Sequence, residues 1–197
     1  MNLSKGQKIN LSKAGEALGV LRFGTNWGMK QRRRMFGLVN TKLAVDLDIS
    51  AVLLNESGSV VETIYFRNLH TQGVSHSGDD RVGDSNPDID DNETITIDFS
   101  KLNRNVHSVV FVLNSFSGEK FSEVPYASVR IYDGQVNKPS KVHATFKLDT
   151  NPEFADAKSI VVGRAYKRKE GWNFEAIGAQ TRHQYLSEIV REITQFV

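Results

Sequence analysis

The sequence contains no cysteine, and this absence excludes several kinds of site at once. Without thiols the chain has no disulfide framework, no thiolate zinc site, no iron–sulfur ligation and no cysteine nucleophile. Redox chemistry by this chain alone is therefore not expected.

Long apolar runs are also lacking. No window approaches eighteen apolar residues, so no transmembrane segment is predicted. The N-terminal stretch MNLSKGQKINLSK has neither the apolar core nor the cleavage region of a signal peptide, and we expect a cytoplasmic protein. A chain of 197 residues with 39% hydrophobic content is predicted to form one domain, residues 1–197.

Acidic residues, in contrast, are concentrated in one stretch, DDRVGDSNPDIDDNE, which we call the acidic loop (Asp79 to Glu93). Carboxylates held so close together repel each other and are pushed toward protonation. Ca²⁺ removes this conflict because it takes six to eight oxygen ligands in flexible geometry. The acidic loop therefore predicts a calcium site with these candidate ligands: Asp79, Asp80, Asp84, Asp88, Asp90, Asp91 and Glu93.

Alternating apolar residues predict that most of the chain forms strands. In Lys42–Leu54 the alternation has period two, which is typical of a half-buried strand. Many short strands separated by Gly or Asn turns favour a two-sheet antiparallel β-sandwich. Further strands are predicted at Ile9–Leu11, Leu18–Phe23, Val60–Phe66, Thr94–Phe99, His107–Leu113, Ala127–Tyr132, His143–Leu148, Ser159–Lys167 and Trp172–Ile177, with a hairpin turn near Lys169 and Gly171.

The C-terminal segment follows a helical period instead. Apolar residues recur at spacings of three and four from Leu186 to Phe196, so one amphipathic helix is predicted at about residues 182–196. Thr181 and Gln184 have the spacing of a capping box at its start. A short helical turn is also predicted within Ser117–Val124.

Two further acids lie outside the loop, on the predicted strand. Asp46 and Asp48 are two residues apart and therefore point to the same face. If the acidic loop closes over this face, nine acidic side chains become available, which is more than one Ca²⁺ needs. Two neighbouring ions are then a natural arrangement.

Acidic residues at this density also occur in three other kinds of site or surface. An EF-hand is excluded, because Ile89 and Ile95 stand where its Gly and bidentate Glu are required and Pro87 lies inside the loop. A solvated acidic surface without metal remains open. A metal-dependent hydrolase using the same carboxylates also remains open, although so many ligands would saturate the ions and favour a structural or sensory role.

The remaining charged and aromatic residues indicate no second kind of site. The insert Gly28–Lys42 contains a basic run but lacks the aromatic platform of single-strand binders, so a solvated loop is expected and nucleic-acid binding is not. The histidines show no close metal-ligand spacing, although His70 and His76 border the acidic loop. Core positions are expected for Phe23, Trp27, Phe111, Trp172 and Phe174.

Several ordered segments together resemble the TerD family of tellurium-resistance and stress-response proteins. These segments are LSKGQKINLSK (Leu3–Lys13), FGTNWG (Phe23–Gly28), VDLDISAVLL (Val45–Leu54), HSGDDRVGD (His76–Asp84), DIDDNETITIDF (Asp88–Phe99) and GWNFEAIG (Gly171–Gly178). The sequence departs from the commonest pattern at Asp80, where Asn is frequent, and at DIDDNE, where an uninterrupted DDE is usual.

The resemblance implies a β-sandwich that binds two calcium ions through the DLD strand and the acidic loop. It carries ligand roles onto Asp46, Asp48, Asp79, Asp80, Asp88, Asp90, Asp91 and Glu93, with Asp84 as a further candidate. As a hypothesis, calcium binding would make the protein an interaction or sensor module for other stress-response proteins at a membrane-associated complex.

Overall fold

A computed structural model describes residues 5–10, 19–34, 39–169 and 171–193 of the chain. Its strands, in chain order, are β1 Lys8–Asn10, β2 Val20–Trp27, β3 Lys30–Arg34, β4 Val39–Leu43, β5 Leu47–Leu54, β6 Val60–Ile64, β7 His70–Thr71, β8 Val74–His76, β9 Glu93–Asp98, β10 Ser108–Ser115, β11 Ala127–Gln135, β12 Lys138–Lys147, β13 Ser159–Arg168 and β14 Gly171–Gln180. Helix α1 spans Leu186–Glu192, and two short 3-10 turns span Phe121–Glu123 and Pro152–Phe154.

The strands form two large antiparallel sheets, which confirms the predicted fold class. One sheet has the order β1-β14-β13-β10-β5-β6, and we call it the first sheet. The second sheet has the order β12-β11-β2-β9-β8-β7. Their facing sides form the main core, because alternate residues of each strand point between the layers.

Aromatic side chains link the two layers. The rings of Phe23 on β2 and Phe111 on β10 stack with centroids 3.8 Å apart, and Phe174 on β14 lies 5.8 Å from Phe23. Trp27 is fully buried and Trp172 nearly so. The expectation that these five aromatic residues are core anchors is confirmed.

Strand β5 is buried on both faces, so the prediction of a half-buried strand was wrong. Its inner side chains join the main core, while Val52 and Leu54 on the outer face form a second core with Ile189 and Ile193 at the C-terminal end of the chain. Helix α1 therefore covers the face that alternation alone would have left to solvent. Lys42 and Leu43, predicted to begin this strand, belong to β4 instead.

Helix α1 is shorter than predicted, and its predicted capping box is wrong. The N-cap is Tyr185, which makes no side-chain cap hydrogen bond. Thr181 Oγ1 instead donates to His183 O at 3.1 Å, and Gln184 Nε2 donates to Phe116 O at 2.9 Å. Phe196, at the end of the predicted stripe, lies outside the described residues.

Several short strands were missed by the sequence prediction. The basic insert forms a two-stranded hairpin, β3–β4, where a solvated loop was expected, since Lys30 pairs with Leu43 and Arg34 with Val39. Strands β7 and β8, between β6 and the acidic loop, were not predicted either. The β13–β14 hairpin is confirmed, whereas Leu11 and Leu18 of the predicted strands lie outside the described residues.

In the part of the chain that the structure describes, no helix has the length and apolar character that crossing a membrane requires.

Candidate metal centre

Three predicted ligands converge at the start of β5. Asp46 precedes this strand, Asp48 is its second residue, and Asp79 begins the acidic loop. One carboxylate oxygen from each side chain lies within 4.8 Å of the others. We call these three residues the carboxylate trio. Within the described residues, it is the one group of three or more such side chains that meets this criterion.

Burial makes two members of the trio, Asp46 and Asp48, costly to ionise, whereas Asp79 is exposed. Asp48 is only 3% exposed, and burial, followed by the charges of Glu93, Asp46 and Asp79, raises the pKa of Asp48 to about 8. Burial and the neighbouring Asp79 likewise raise the pKa of Asp46 to about 6. Asp48 would therefore hold a proton at neutral pH unless a positive charge lies among the oxygens of the trio.

The cation paired with Asp46, Arg81, does not neutralise the charge of the carboxylate trio. Arg81 Nε lies 3.9 Å from Asp46 Oδ2, but the Arg81 side chain is 72% exposed, and exposed pairs of this kind contribute little. Asp46 Oδ1 is buried and has no hydrogen-bond partner. A buried carboxylate oxygen without a donor is the kind of ligand atom that a hard cation takes.

Glu93 connects the acidic loop to β5 behind the carboxylate trio. Its carboxylate is fully buried and accepts hydrogen bonds from Ile49 N at 3.0 Å and Asp80 N at 3.1 Å. His76 Nε2 lies 3.5 Å from Glu93 Oε2 and 3.0 Å from Ile49 O. Burial lowers the pKa of His76, but Glu93 outweighs burial and the net pKa is raised. The structure thus places a buried His76–Glu93 pair behind the trio.

Asp80 organises the acidic loop itself. Its Oδ1 accepts hydrogen bonds from Val82 N and Gly83 N, and its Oδ2 accepts one from Asn92 Nδ2. These bonds close a tight turn of the kind that Asp favours. Asp80 also lies near enough to Asp46 for its charge to raise the pKa of Asp46.

The loop packs on the FGTNWG segment through a close backbone approach. Gly83 adopts a positive φ of 76°, and a Cβ at this position would lie 2.7 Å from the indole of Trp27. The Trp27 Nε1 atom donates to Val45 O, next to the carboxylate trio. Only glycine combines this backbone conformation with this contact.

The remaining predicted ligands lie on the other side of the loop, toward β2 and β11. Asp84 accepts hydrogen bonds from Asn26, Asn92 and Tyr126, and burial followed by the charge of Asp88 raises its pKa. Asp88 Oδ1 accepts from Asp90 N at 2.9 Å, which shapes the loop locally.

Asp91 has a protein cation as its partner. Its Oδ1 accepts hydrogen bonds from the Arg130 guanidinium, including one from Nε at 2.9 Å. Burial is the largest influence and raises the pKa of Asp91 to about 6 in spite of Arg130. Arg130 Nη2 also donates to the backbone carbonyl of Asp90. The structure therefore does not bring Asp84, Asp88, Asp90 and Asp91 into the carboxylate trio.

Two neighbours of the trio were not predicted from the sequence. Asn114 lies opposite Asp48 in the β10–β5 pairing and donates from Nδ2 to Asp48 Oδ2 at 3.4 Å. Glu119 raises the pKa of Asp46 through its charge. No local pattern marks either residue, because Asn114 reaches the site through the pairing of β10 with β5 and Glu119 lies in the connection after β10.

The donor set fits a hard cation. Three carboxylates supply up to six oxygens, and backbone or amide carbonyls and water can complete the six to eight ligands of Ca²⁺. No sulfur or imidazole atom belongs to the carboxylate trio, so soft transition metals are not favoured. Fold and site together define a β-sandwich protein with a cluster of three carboxylates, one of them buried, that suits a hard divalent cation.

Comparison with known proteins places the chain in a family. Residues 1–192 match the TerD domain, and the chain therefore belongs to the TerD family. It is 32% identical over 200 residues to the tellurium resistance protein TerZ of Serratia marcescens, covering 100% of this chain and 98% of that protein. It is 28% identical over 201 residues to stress response protein SCP2 of Bacillus subtilis (strain 168), covering 96% of this chain and 97% of that protein.

A solved structure shows the same fold. A homologue of the telluride resistance protein TerD from Streptomyces coelicolor A3(2) superposes with a TM-score of 0.69. The two sequences are 15% identical, and the match covers 89% of this chain and 97% of that one. This likeness supports the sandwich architecture alone.

Proposed function

We propose that the protein is a calcium-binding member of the TerD family that acts in tellurium resistance or a related stress response. In this proposal Asp46, Asp48 and Asp79 hold one Ca²⁺. The observation that carries it is the convergence of three carboxylates around the buried Asp48, where the cation paired with Asp46, Arg81, is exposed and 3.9 Å away.

A second ion is part of the same proposal. The group on the far side of the acidic loop, Asp84, Asp88 and Asp90, is its candidate site. Asp84 already accepts three side-chain hydrogen bonds there, so this ion would compete with protein donors and bind more weakly than the first.

The proposed role of the filled site is structural and regulatory. A cation at the carboxylate trio ties the acidic loop to β5, on the surface where Arg67, Phe66 and Phe116 are gathered. Ca²⁺ binding would thereby present a defined surface to other stress-response proteins, including those of a membrane-associated complex. We propose a cytoplasmic location for the protein and no hydrolytic activity.

Calorimetric titration tests the proposal. We expect Ca²⁺ to bind the wild-type protein more tightly than Mg²⁺, because Mg²⁺ demands near-ideal octahedral geometry. Asp48→Asn keeps the shape of the side chain but removes its charge, and it should weaken the tighter binding by about tenfold or more, or ~1.4 kcal/mol.

Asp156→Asn is the matched control, because Asp156 is an exposed acid paired with Lys120 outside the acidic loop. It should bind Ca²⁺ like the wild type. Equal Ca²⁺ affinity in Asp48→Asn and wild type would contradict the assignment. If the wild type hydrolyses p-nitrophenyl phosphate in the presence of Ca²⁺ and Asp48→Asn abolishes this activity, the protein is a metal-dependent hydrolase instead.

A further inference from the structure

A cavity of about 660 Å³ lies beside the carboxylate trio, on the outer face of the first sheet. Its floor is formed by β5 and β10, one wall by the turn after β6, and the other by helix α1. Its volume is in the range of pockets that bind small organic ligands. Neither the family assignment nor the proposed cation site accounts for it.

The floor contains polar atoms that have no protein partner. Ser50 is fully buried and Asn114 is 3% exposed, and both line the cavity. Ser50 Oγ and Asn114 Oδ1 have no hydrogen-bond partner in the protein. Leaving such buried atoms without a partner is unfavourable, so the floor is suited to receive hydrogen-bond donors.

The walls are aromatic. The rings of Phe66 and Phe116 meet edge to face with centroids 5.9 Å apart, and Tyr65 contacts Phe66 in the same manner. Phe116 and Tyr185 are 43% and 57% exposed. Exposed aromatic surface of this kind often marks a binding site. These surfaces suit a flat or apolar ligand body.

Arginines supply the charge at the rim. Arg67 lies over the Phe66 ring at 5.3 Å from its centroid, which fixes the guanidinium at the edge of the cavity. Arg191 lines the same cavity from helix α1. An anionic group on a ligand would meet these side chains.

The cavity is continuous with the carboxylate trio. A neighbouring cavity of about 320 Å³ contains all three trio carboxylates and shares Asp48, Phe66, Arg67 and Phe116 with the larger one. When a divalent cation occupies the trio, its two charges together with those of Arg67, Arg81 and Arg191 exceed the three carboxylate charges. The combined site is then more positive than the cation-free site, which favours an anion.

We propose that this cavity, which we call the aromatic cavity, binds a small organic anion with an aromatic body in a cation-dependent manner. The anionic group lies near Arg67 and the cation, the rings contact Phe66 and Phe116, and a donor on the ligand reaches Asn114 Oδ1 or Ser50 Oγ. The cation dependence rests on the proposed function, whereas the cavity and its floor do not.

Fluorescence of 8-anilinonaphthalene-1-sulfonate tests the proposal, because this probe combines two aromatic systems, an N–H donor and one sulfonate. We expect the folded protein with Ca²⁺ to bind it at least about threefold more tightly than the protein with chelator, since an added positive charge strengthens anion binding at short range. Ser187→Trp should abolish binding, because Ser187 lines the aromatic cavity and is exposed, so that a large side chain fills the space. Ser187→Ala leaves the space open and should bind as wild type.

A second pair of measurements isolates the charge. Arg67→Gln should weaken binding of the sulfonate probe but leave binding of N-phenyl-1-naphthylamine, which lacks the sulfonate, unchanged. Equal binding in Ser187→Trp and wild type, or equal loss of both probes in Arg67→Gln, would overturn the proposal.

Calorimetry with Ca²⁺ separates this proposal from the proposed function. Ca²⁺ binding without any probe binding would overturn the aromatic cavity alone. The opposite result is that the protein does not bind Ca²⁺ but does bind the probe, and that Ser187→Trp abolishes probe binding. This result would uphold the cavity as a ligand site and overturn both its cation dependence and the proposed function.

Discussion

At the scale of single residues, the unusual feature is a carboxylate placed where it should not be ionised. Asp48 is enclosed by β5, β10 and the acidic loop, and Glu93, Asp46 and Asp79 add negative charge around it. Proteins accept such an arrangement where a function needs it. The cost of ionising Asp48 is the physical reason to expect a cation here.

The pH dependence of stability follows from these pKa values. The folded-state pKa of Asp48 is raised from 3.8 to about 8, so between these values the folded chain holds a proton that the unfolded chain has lost. Stability of the cation-free protein must therefore fall as pH rises through this window, and the raised pKa of Asp46, about 6, acts in the same direction. Thermal unfolding in chelator at several pH values measures this.

Asp48→Asn provides the control for this pH dependence. The variant cannot ionise at this position, so its stability in chelator should depend less on pH above about 6 than that of the wild type. Identical pH profiles for the two proteins would show that Asp48 is not the group responsible.

At the scale of elements, β2 and the end of the acidic loop approach each other closely at Gly24. A Cβ at Gly24 would overlap the Asp91 carboxylate, which Arg130 holds in place, and the ring of Tyr132. Substitution here cannot be absorbed by a flexible side chain, because Asp91 is 4% exposed.

Gly24→Ala is therefore expected to lower the free energy of unfolding by about 1–3 kcal/mol, the usual cost of overpacking. Gly19→Ala is the matched control, because a Cβ at Gly19 would meet nothing within 4 Å, and its effect should stay within about 0.5 kcal/mol. Urea unfolding of both variants measures the difference. Similar losses in the two would argue against the packing described for Asp91.

The elements also show how far the sequence predicts the structure. Regular alternation located the long strands, but it could not show that α1 buries Val52 and Leu54, since that cover depends on tertiary packing. The β3–β4 hairpin was missed because its first strand, KQRRR, has no apolar alternation. Asp46, Asp48 and Asp79 were all candidates from the sequence, whereas Asn114 enters the site through strand register, which alternation does not fix.

At the scale of the whole molecule, cation binding and folding are linked. The carboxylate trio joins β5 to the acidic loop, and the loop in turn contacts the β2 end through Trp27 and Val45. An ion that binds only the folded protein raises the free energy of unfolding of the whole domain. At a concentration 100-fold above the dissociation constant, the gain is roughly 2.7 kcal/mol for one site.

We therefore expect saturating Ca²⁺ to raise the unfolding temperature by about 5–10 °C and excess chelator to reverse this rise. Asp48→Ala should lose most of the shift, because it removes a trio ligand. Asp90→Ala should lose only the smaller share that belongs to the second ion. A full shift retained in Asp48→Ala would contradict the coupling between the trio and the fold, and differential scanning calorimetry measures all three proteins.

The central claim is that Asp46, Asp48 and Asp79 together hold a cation, and anomalous diffraction tests it most directly. Crystals grown with Ca²⁺, and matched crystals with Tb³⁺ in its place, should show an anomalous peak with oxygens of all three side chains at about 2.3–2.6 Å. The contradicting result is a protein that is saturated with Ca²⁺ in solution but whose crystals show ordered carboxylates at these three residues and no anomalous peak among them. In that case these three residues would not hold the cation.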